Sequence, residues 1–152
     1  METNTRPTWT LRPAEAGDIE TIAELRAVVM RPDLERLGRY DDHRVRQRLR
    51  DGFSAEHTSV VLADGAFAGC VALRPHQDAH WLEHFYLSPA HQGHGLGSAV
   101  LGALLARTDA EDTPVRLDVL QGSAARRLYE RHGFVLESED PVDVFMVRAP
   151  GA

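Results

Sequence analysis

Hydrophobic and polar residues recur along this chain with two different periods. Apolar residues three or four positions apart predict helices, whereas strict alternation predicts strands. The first pattern predicts four helices, at 16–30, at 41–53, from a glycine-rich segment to about Arg107, and at 123–133. The second predicts seven strands, at 8–13, two within 57–75, and at 80–89, 115–120, 134–139 and 143–149. Strands and helices therefore alternate, and 108–113 is the one candidate linker.

Turn-forming residues predict where several of these elements end. Asp18 can cap the first helix, and Pro32 is expected to end it because proline lacks a backbone amide. Asp41 or Asp42 can cap the second helix. Asp64-Gly65 is a strong signal for a hairpin turn between two strands.

Composition and charge are typical of a globular protein with one domain, 1–152. The net charge of −6 argues against nucleic acid as a partner. No apolar run approaches the roughly 18 residues of a membrane span, and the N-terminus lacks the apolar core of a signal peptide. The single cysteine, Cys70, fits a reducing compartment, so we expect a cytoplasmic protein that does not contact membranes.

Three glycines, Gly93, Gly95 and Gly97, stand in the segment "HQGHGLGSAV" between a predicted strand and a predicted helix. The first amides of a helix have no internal partners, and glycines let a phosphate approach them closely. The spacing is neither that of a P-loop nor a convincing dinucleotide fingerprint. Taken alone, it fits a phosphate site and a tight strand-to-helix turn equally well.

Three segments together resemble the GNAT superfamily, the acetyl-CoA-dependent N-acyltransferases. Residues 92–97 resemble its Q/R-x-x-G-x-G/A signature, and the segments "LRPAEAGDIETIAEL" and "ARRLYERHGFV" resemble its first strand and helix and its late helix and strand. They occur in family order across nearly the whole chain. The resemblance implies an α/β fold, with a mixed central β-sheet flanked by about four helices and a splayed pair of central strands.

The resemblance also implies the site for acetyl-CoA, the co-substrate. Backbone amides from about Gly93 to Ser98 would bind its pyrophosphate, and main-chain groups near Tyr86 and Leu87 would bind its pantetheine arm. Many family members have Asn where this chain has Gly122, so Ser123 or Gln121 is expected to replace that contact. The expected cofactor-binding residues are Phe85, Tyr86, Leu87, Gln92, Gly93, His94, Gly95, Leu96, Gly97, Ser98 and Ser123.

Two residues are candidates for catalysis. An amine with a pKa near 10 is almost fully protonated at neutral pH, so a positioned base helps it react. Glu83 is the first choice; it is expected to share a strand face with Trp81 and Phe85, with His84 on the opposite face. A purely structural carboxylate and a water-relayed proton remain alternatives.

Tyr129 occupies the position of the family's general acid, which would protonate the leaving thiolate. The alternative is an aromatic residue of the core. We expect no metal site, because strand geometry spreads His76, His80 and His84 too far apart to share one ion. Cys70 lies in an apolar strand and is expected to be a buried structural thiol.

The substrate signal lies in residues 26–50, which hold eight arginines against four acidic residues. Arg44 and Arg48 lie one helical turn apart and could clamp a carboxylate, with Tyr40 and Trp81 as further candidates for substrate contact. The alternative is a solvated helix face on which these arginines pair with Asp41 and Asp42.

The leading hypothesis is an N-acetyltransferase that acts on the primary amine of a small molecule by direct transfer in a ternary complex. Two alternatives are a protein N-terminal acetyltransferase and a non-catalytic acyl-CoA-binding sensor. The presence of both Glu83 and Tyr129 favours the enzyme. A homodimer is an expectation from the family alone.

Overall fold

A computed structural model describes residues 8–152 of the chain. Seven β-strands and four α-helices are formed in this part, with short 3-10 turns between some of them. The strands are β1 Trp9–Pro13, β2 Thr58–Ala63, β3 Ala66–His76, β4 Ala79–Leu87, β5 Val115–Leu120, β6 Val135–Glu139 and β7 Asp143–Arg148. The helices are α1 Ile19–Arg36, α2 Asp42–Gly52, α3 Leu96–Ala110 and α4 Ala125–Arg131.

The strands form one mixed sheet in the order β1-β2-β3-β4-β5-β7-β6. Every neighbouring pair is antiparallel except β4 and β5, which are parallel. These two strands pair only at His80–Val115 and Trp81–Arg116, although they continue to Leu87 and Leu120. They therefore diverge and open a wedge in the middle of the sheet, which confirms the expected fold class and its splayed central pair.

Each face of the sheet has its own hydrophobic cluster. The larger cluster joins α3 and α4 to the sheet through residues such as Leu82, Leu101, Leu117 and Met146. The smaller one joins α1 and α2 to the other face through Ile22, Ala23, Leu49 and Cys70. Ile22 and Leu49 are fully buried because the apolar stripes of α1 and α2 meet the sheet there.

The predicted hairpin between β2 and β3 is confirmed. Asp64 and Gly65 both have positive φ, 50° and 82°, as a turn that follows the twist of two antiparallel strands requires. Asp41 caps α2 as predicted, because its carboxylate accepts a hydrogen bond from the Arg44 amide at 2.7 Å.

Two helices are longer than predicted. The prediction that Pro32 ends the first helix is wrong, since α1 continues through it to Arg36. Proline removes one helical hydrogen bond, to the carbonyl of Val28, and Val28 is 55% exposed, so water can satisfy that carbonyl. The candidate linker 108–113 is also partly helical, because α3 continues to Ala110 and buries Thr108 completely.

A β-bulge in β4 changes which side chains share a face. Tyr86 pairs with Cys70 and Glu83 pairs with Ala72, so two residues of β4, His84 and Phe85, oppose one residue of β3. His84 takes the left-handed φ of 50°. The expected strand faces are therefore wrong for two residues: His84 joins Glu83 on the face of α1 and α2, while Phe85 packs against the cluster on the other face.

None of the helices formed by residues 8–152 is long and apolar enough to cross a membrane.

Candidate functional site

The wedge between β4 and β5 opens into a cleft of about 720 Å³, whose other wall is formed by α1 and α2. The cleft brings together Glu83, Phe85, Tyr86, Ser123 and Tyr129, all of which the sequence had singled out. Arg44 and Arg48 line it from the α2 side. Charged lining residues that the sequence did not indicate as part of a site include Arg26, Arg39, Asp118 and Asp143.

Tyr129 reaches the cleft from α4. Its side chain is 8% exposed, and its ring packs edge-on against Phe134 with 5.7 Å between the ring centres. Within residues 8–152 its hydroxyl makes no hydrogen bond. Burial raises the pKa of the phenol far above its usual value, so Tyr129 keeps its proton and can donate it to a group bound in the cleft.

Glu83 lies in the cleft as an ion-paired carboxylate. Its Oε1 accepts a hydrogen bond from Arg74 Nε at 2.8 Å, across the β3–β4 pair. Its side chain is 27% exposed. The bulge turns Phe85 to the other face, so of the two expected aromatic neighbours only Trp81 stays on the face of Glu83, and Trp81 lies outside the cleft lining.

Asp118 is a second carboxylate in the cleft. It lies on β5 just beyond the point where this strand leaves β4, and Asp143 of β7 is its diagonal neighbour, paired with Leu120. Asp118 is exposed in the open cleft, and partial removal from bulk water, followed by the charge of Asp143, raises its pKa to about 6.

A chain of hydrogen bonds links α1 to the bulge. Arg26 Nε donates to the Tyr86 hydroxyl at 3.0 Å, so that hydroxyl is free to donate to His84 Nδ1 at 3.2 Å. Burial lowers the pKa of His84 and raises that of Tyr86 to about 12. The proton of the neutral imidazole is then on Nε2, which faces Gly52, and His84 presents no free basic nitrogen to the cleft.

The arginines of α2 divide into two groups. Arg46 and Arg50 form ion pairs with Glu24 and Glu20 of α1, each at 2.8 Å. Arg44 and Arg48 face the cleft instead and form no side-chain ion pair within residues 8–152. Both side chains are exposed, as the alternative of a solvated helix face expected, and the charge of Arg44 contributes to lowering the pKa of Asp41, but neither arginine forms an ion pair with Asp41 or Asp42 in the described structure.

Two residues predicted to contact substrate lie elsewhere. The Tyr40 hydroxyl donates to Asp42 at 2.6 Å, and the Arg31 guanidinium stacks on its ring at 4.5 Å, so Tyr40 is engaged outside the cleft lining. Trp81 belongs to the paired base of the wedge, opposite Arg116, and does not line the cleft either. The structure therefore does not bring these two residues to the cleft lining with the other predicted site residues.

The glycine-rich loop has the geometry of an anion site. Gly93 and Gly95 have φ values of 78° and 81°, which favour glycine, and a Cβ at either position would meet nothing within 4 Å. Gly95 directly precedes the 15 residues of α3. Within the described chain the amides of residues 93–98 have no hydrogen-bond acceptor. Open space in front of free amides at a helix N-terminus fits the pyrophosphate of coenzyme A.

Other residues of this loop hold it in place. Gln92 Nε2 donates to the Leu87 carbonyl at 2.9 Å, which ties the loop to the end of β4. A Cβ at Gly97 would lie 3.4 Å from Leu87 Cδ1, so a glycine lets α3 approach the strand closely. Ser98 Oγ lies 3.3 Å from His132 Nε2 of the segment after α4. Leu96 is buried in the larger cluster, whereas His94 is exposed.

Gly122, the position where the resembled family often has Asn, lies against the side chain of Arg36 at the end of α1. A Cβ at Gly122 would lie 2.8 Å from Arg36 Nη2, and Arg36 donates a hydrogen bond to the Gln121 carbonyl. The Gln121 side chain turns away to Glu139 and Asp140. Ser123 lines the cleft and accepts a hydrogen bond from the Ala125 amide at 3.2 Å, so Ser123 is the better placed of the two proposed replacements.

Cys70 is fully buried, as predicted, and burial raises the pKa of its thiol to about 12. Its Sγ donates to the His84 carbonyl at 3.2 Å, beneath the bulge. Among residues 8–152, no three His, Cys, Asp or Glu side chains form a metal-binding group.

Asp118 and Asp143 had a signal in the sequence. "VRLDVL" alternates, and Asp118 occupies the polar face that a strand normally turns to solvent. Because β5 is expected to diverge from β4, the polar face of β5 is expected to border the wedge between them. The position of Asp143 near Asp118 results from the pairing of β5 with β7. Such a pairing cannot be deduced from the sequence pattern of one strand.

Comparisons with known proteins agree with this geometry. The acetyltransferase (GNAT) family profile matches residues 20–134. Among solved structures, the PaiA N-acetyltransferase of Thermoplasma acidophilum, in complex with coenzyme A, has a TM-score of 0.75 at 20% identity over 93% of this chain and 99% of its own. No curated protein sequence gives a significant match.

Two further structures share the fold. The ribosomal-protein-S18-alanine N-acetyltransferase of Escherichia coli has a TM-score of 0.73 at 16% identity and covers 95% of this chain and 96% of its own. The N-acetylglutamate synthase of Neisseria gonorrhoeae, complexed with coenzyme A and L-arginine, has a TM-score of 0.68 at 22% identity. The match covers 96% of this chain and 34% of the synthase.

Proposed function

We propose, on the premise that this chain belongs to the acetyltransferase (GNAT) family, that it transfers an acetyl group from acetyl-CoA directly to the primary amine of a small molecule. The family match also confirms the resemblance drawn from residues 92–97. One observation carries the proposal: β4 diverges from β5 beside Tyr129, whose hydroxyl has no protein partner in the described structure, and β4 is followed by a loop of free amides at the start of α3.

The residues that would hold acetyl-CoA lie in the glycine loop, along the end of β4 and at the start of α4. The amides of 93–98 would bind its pyrophosphate, as at other helix N-termini that bind phosphate. The edge of β4 facing β5 has no strand partner beyond Trp81, so main-chain groups of 85–87 remain for the amides of the pantetheine arm. Ser123 is placed to add a contact at the start of α4. The bound acetyl-CoA supplies the acetyl group as a thioester.

Tyr129 is proposed as the general acid. Its side chain is largely buried, its hydroxyl remains protonated, and no other side chain engages that hydroxyl in the described structure. It would donate its proton to the departing thiolate. Glu83, the proton acceptor predicted from the sequence, lines the same cleft, and Arg74 holds one of its oxygens.

The acceptor is proposed to be a small amine that carries a carboxylate. Arg44 and Arg48 place two uncompensated guanidinium groups in the cleft wall opposite the acidic residues of β4 and β5. Guanidinium groups without a protein partner favour a planar anionic group such as a carboxylate. Amino acids and their relatives combine such a group with an amine.

The experiment is a turnover assay on an amine panel, with coenzyme A release followed by a thiol-reactive dye. Cys70 is buried with a raised thiol pKa, so the folded protein contributes little background. The panel pairs each amino acid with its carboxamide, and includes decarboxylated amines and short peptides. We expect turnover with amino acids and about tenfold or greater loss of kcat/KM for the matched amides, since an amide cannot form the charge-assisted hydrogen bonds that a carboxylate makes with guanidinium groups.

The double variant Arg44→Gln/Arg48→Gln should remove the preference for the carboxylate while preserving kcat/KM for the amides. Preference for peptides over free amino acids would indicate protein N-terminal acetylation instead. Binding of acetyl-CoA without turnover of any amine would support the acyl-CoA sensor.

A further inference from the structure

Two carboxyl groups from neighbouring strands meet in the cleft without a cation to separate them. Asp118 on β5 is diagonal to Asp143 on β7, because Asp143 pairs with Leu120 two residues further along β5, and both residues line the cleft. Neither forms an ion pair within residues 8–152, although ten other ion pairs are present there. Two adjacent carboxylates repel unless they share a proton or a bound cation. The arrangement therefore favours a ligand that brings a positive charge and a proton.

A separate observation identifies the same place as a ligand site. The Tyr129 side chain is only 8% exposed, lies in the same cleft and leaves its hydroxyl without a partner in the described chain. Tyr129 and Asp118 are near enough for the carboxylate to affect the phenol. An amine bound between them would contact a proton acceptor on one side and a proton donor on the other.

Glu83 is the less suitable of the two carboxylates for this role. Arg74 donates to it at 2.8 Å, so one of its oxygens is already engaged by a protein side chain. Asp118 has no ion-pair partner within residues 8–152, and the two carboxylates near it, Glu83 on β4 and Asp143 on β7, are both acidic residues. The carboxylate of Asp118 is therefore the better placed of the two to accept a proton from a ligand.

We infer that Asp118, assisted by Asp143, accepts the proton that the acceptor amine must lose. The ammonium group gives one proton to the Asp118 carboxylate, and the freed lone pair forms the amide bond as the acyl carbon–sulfur bond breaks. Tyr129 protonates the departing sulfur and is reprotonated by the second proton that leaves the nitrogen. Asp118 returns its proton to solvent through the open cleft, so one proton is released per turnover.

The environment of Asp118 sets the pH at which this base operates. On β4 it faces Glu83 and Tyr86, on α4 Tyr129 and on β7 Asp143. The cations that line the cleft are Arg26 of α1, Arg39 between α1 and α2, and Arg44 and Arg48 of α2. A pKa of about 6 puts Asp118 mostly in its basic form at pH 7 while giving it a proton affinity greater than that of an ordinary aspartate.

This inference rests on the proposed function, and its test uses the amine with the highest turnover in the panel. Asp118→Asn keeps the size of the side chain and removes the base. We expect kcat/KM at pH 7 to fall by about 10²-fold or more. The deficit should shrink roughly tenfold per pH unit as the amine loses its proton in solution, because a base is then no longer needed. A merely structural role would not give this recovery.

Asp143→Asn provides a second readout. Removal of its charge should lower the pKa of Asp118 and shift the acid-side inflection of kcat/KM below pH 6. Asp112→Asn, in an exposed turn after α3, is the charge-matched control and should leave the profile unchanged. Calorimetric Kd values for acetyl-CoA should be the same in all three variants, which shows that fold and cofactor site are intact.

Two outcomes would overturn the inference in different ways. If Asp118→Asn retains kcat/KM within about threefold, or Glu83→Gln alone abolishes the acid-side inflection, Asp118 is not the base and the proposed function still stands. If the parent protein turns over no amine in the panel, the proposed function itself fails and the inference fails with it.

Discussion

The hydroxyl of Tyr129 is the group whose removal is expected to lower the rate of acetyl transfer most directly. Tyr129→Phe keeps the ring that packs against Phe134 and deletes the proton donor. We expect kcat to fall by about 10²-fold with the Kd for acetyl-CoA unchanged. The Tm should not fall, because the hydroxyl has no hydrogen bond to lose in the described structure. Steady-state kinetics and thermal unfolding check both statements.

Tyr40→Phe is the matched control for this change. It also deletes one phenol hydroxyl, but from a residue outside the cleft lining. Its kcat should stay within about twofold of the parent value. Equal activity of Tyr129→Phe and the parent would remove Tyr129 from the chemistry and leave it as a core aromatic.

For single residues, the sequence predicted which residues reach the cleft better than it predicted the strand face on which each side chain lies. Tyr129 and Glu83 both reach the cleft, as expected from their positions. His84 and Phe85 exchange faces because the bulge adds one residue, which simple alternation cannot anticipate. Asp118 was overlooked because the polar side of a strand is usually solvated.

Among the elements, α1 depends on a network at its start. Arg12 on β1 makes two hydrogen bonds of 2.9 Å to Asp18, and Asp18 also accepts the Glu15 amide at 2.8 Å. The hydrogen bonds from Arg12 lower the pKa of Asp18 to about 2. The network therefore joins the first strand to the first helix and favours the ionised carboxylate.

The pH dependence of stability follows from the sign of this shift. Because the pKa is lower in the folded state than the unfolded value of about 4, the stabilisation is complete above pH 4 and is lost as the pH falls towards 2. Asp18→Asn should lower the Tm at pH 7 by roughly 2 to 4 °C. The gap between parent and variant should close between pH 4 and pH 2 in thermal unfolding scans.

Asp112→Asn again serves as the control, since it removes a carboxylate that has no ion pair in the described structure. It should leave the Tm unchanged at both pH values. A gap for Asp18→Asn that persists at pH 2 would mean that the amide disrupts the turn itself and that the ion pair is not the cause.

The elements were predictable wherever the determining signal is local. β5 has the predicted bounds, and the turn at Asp64-Gly65 follows from two residues that tolerate positive φ. The C-terminal ends of helices were less predictable. α1 continues past Pro32 because its last turns pack over the cleft, with Leu34 in the lining and Arg36 against Gly122. Such tertiary contacts override a local helix breaker.

In the whole molecule, the proposed function depends on the divergence of β4 and β5. The wedge brings Tyr129 and the arginines of α2 to one cleft, and β4 leads on to the glycine loop with its free amides. The sequence predicted this divergence only through the family resemblance, because strand pairing is a contact between distant segments. The sequence contained even less information on which residues face each other across the cleft, since α2 and β5 lie more than 60 residues apart in sequence.

The most direct test of the account is calorimetric titration with acetyl-CoA of the parent protein, Gly95→Asp and Gly95→Asn. Both side chains tolerate the left-handed backbone at Gly95 and differ mainly in charge. Gly102→Asp, in the middle of the same helix, controls for added charge in α3.

We expect micromolar binding by the parent and by Gly102→Asp. Gly95→Asp should bind at least about tenfold more weakly than Gly95→Asn, because its carboxylate would stand beside the pyrophosphate. Equal affinity of the two Gly95 variants, or no binding by the parent, would contradict the claim that this loop holds coenzyme A.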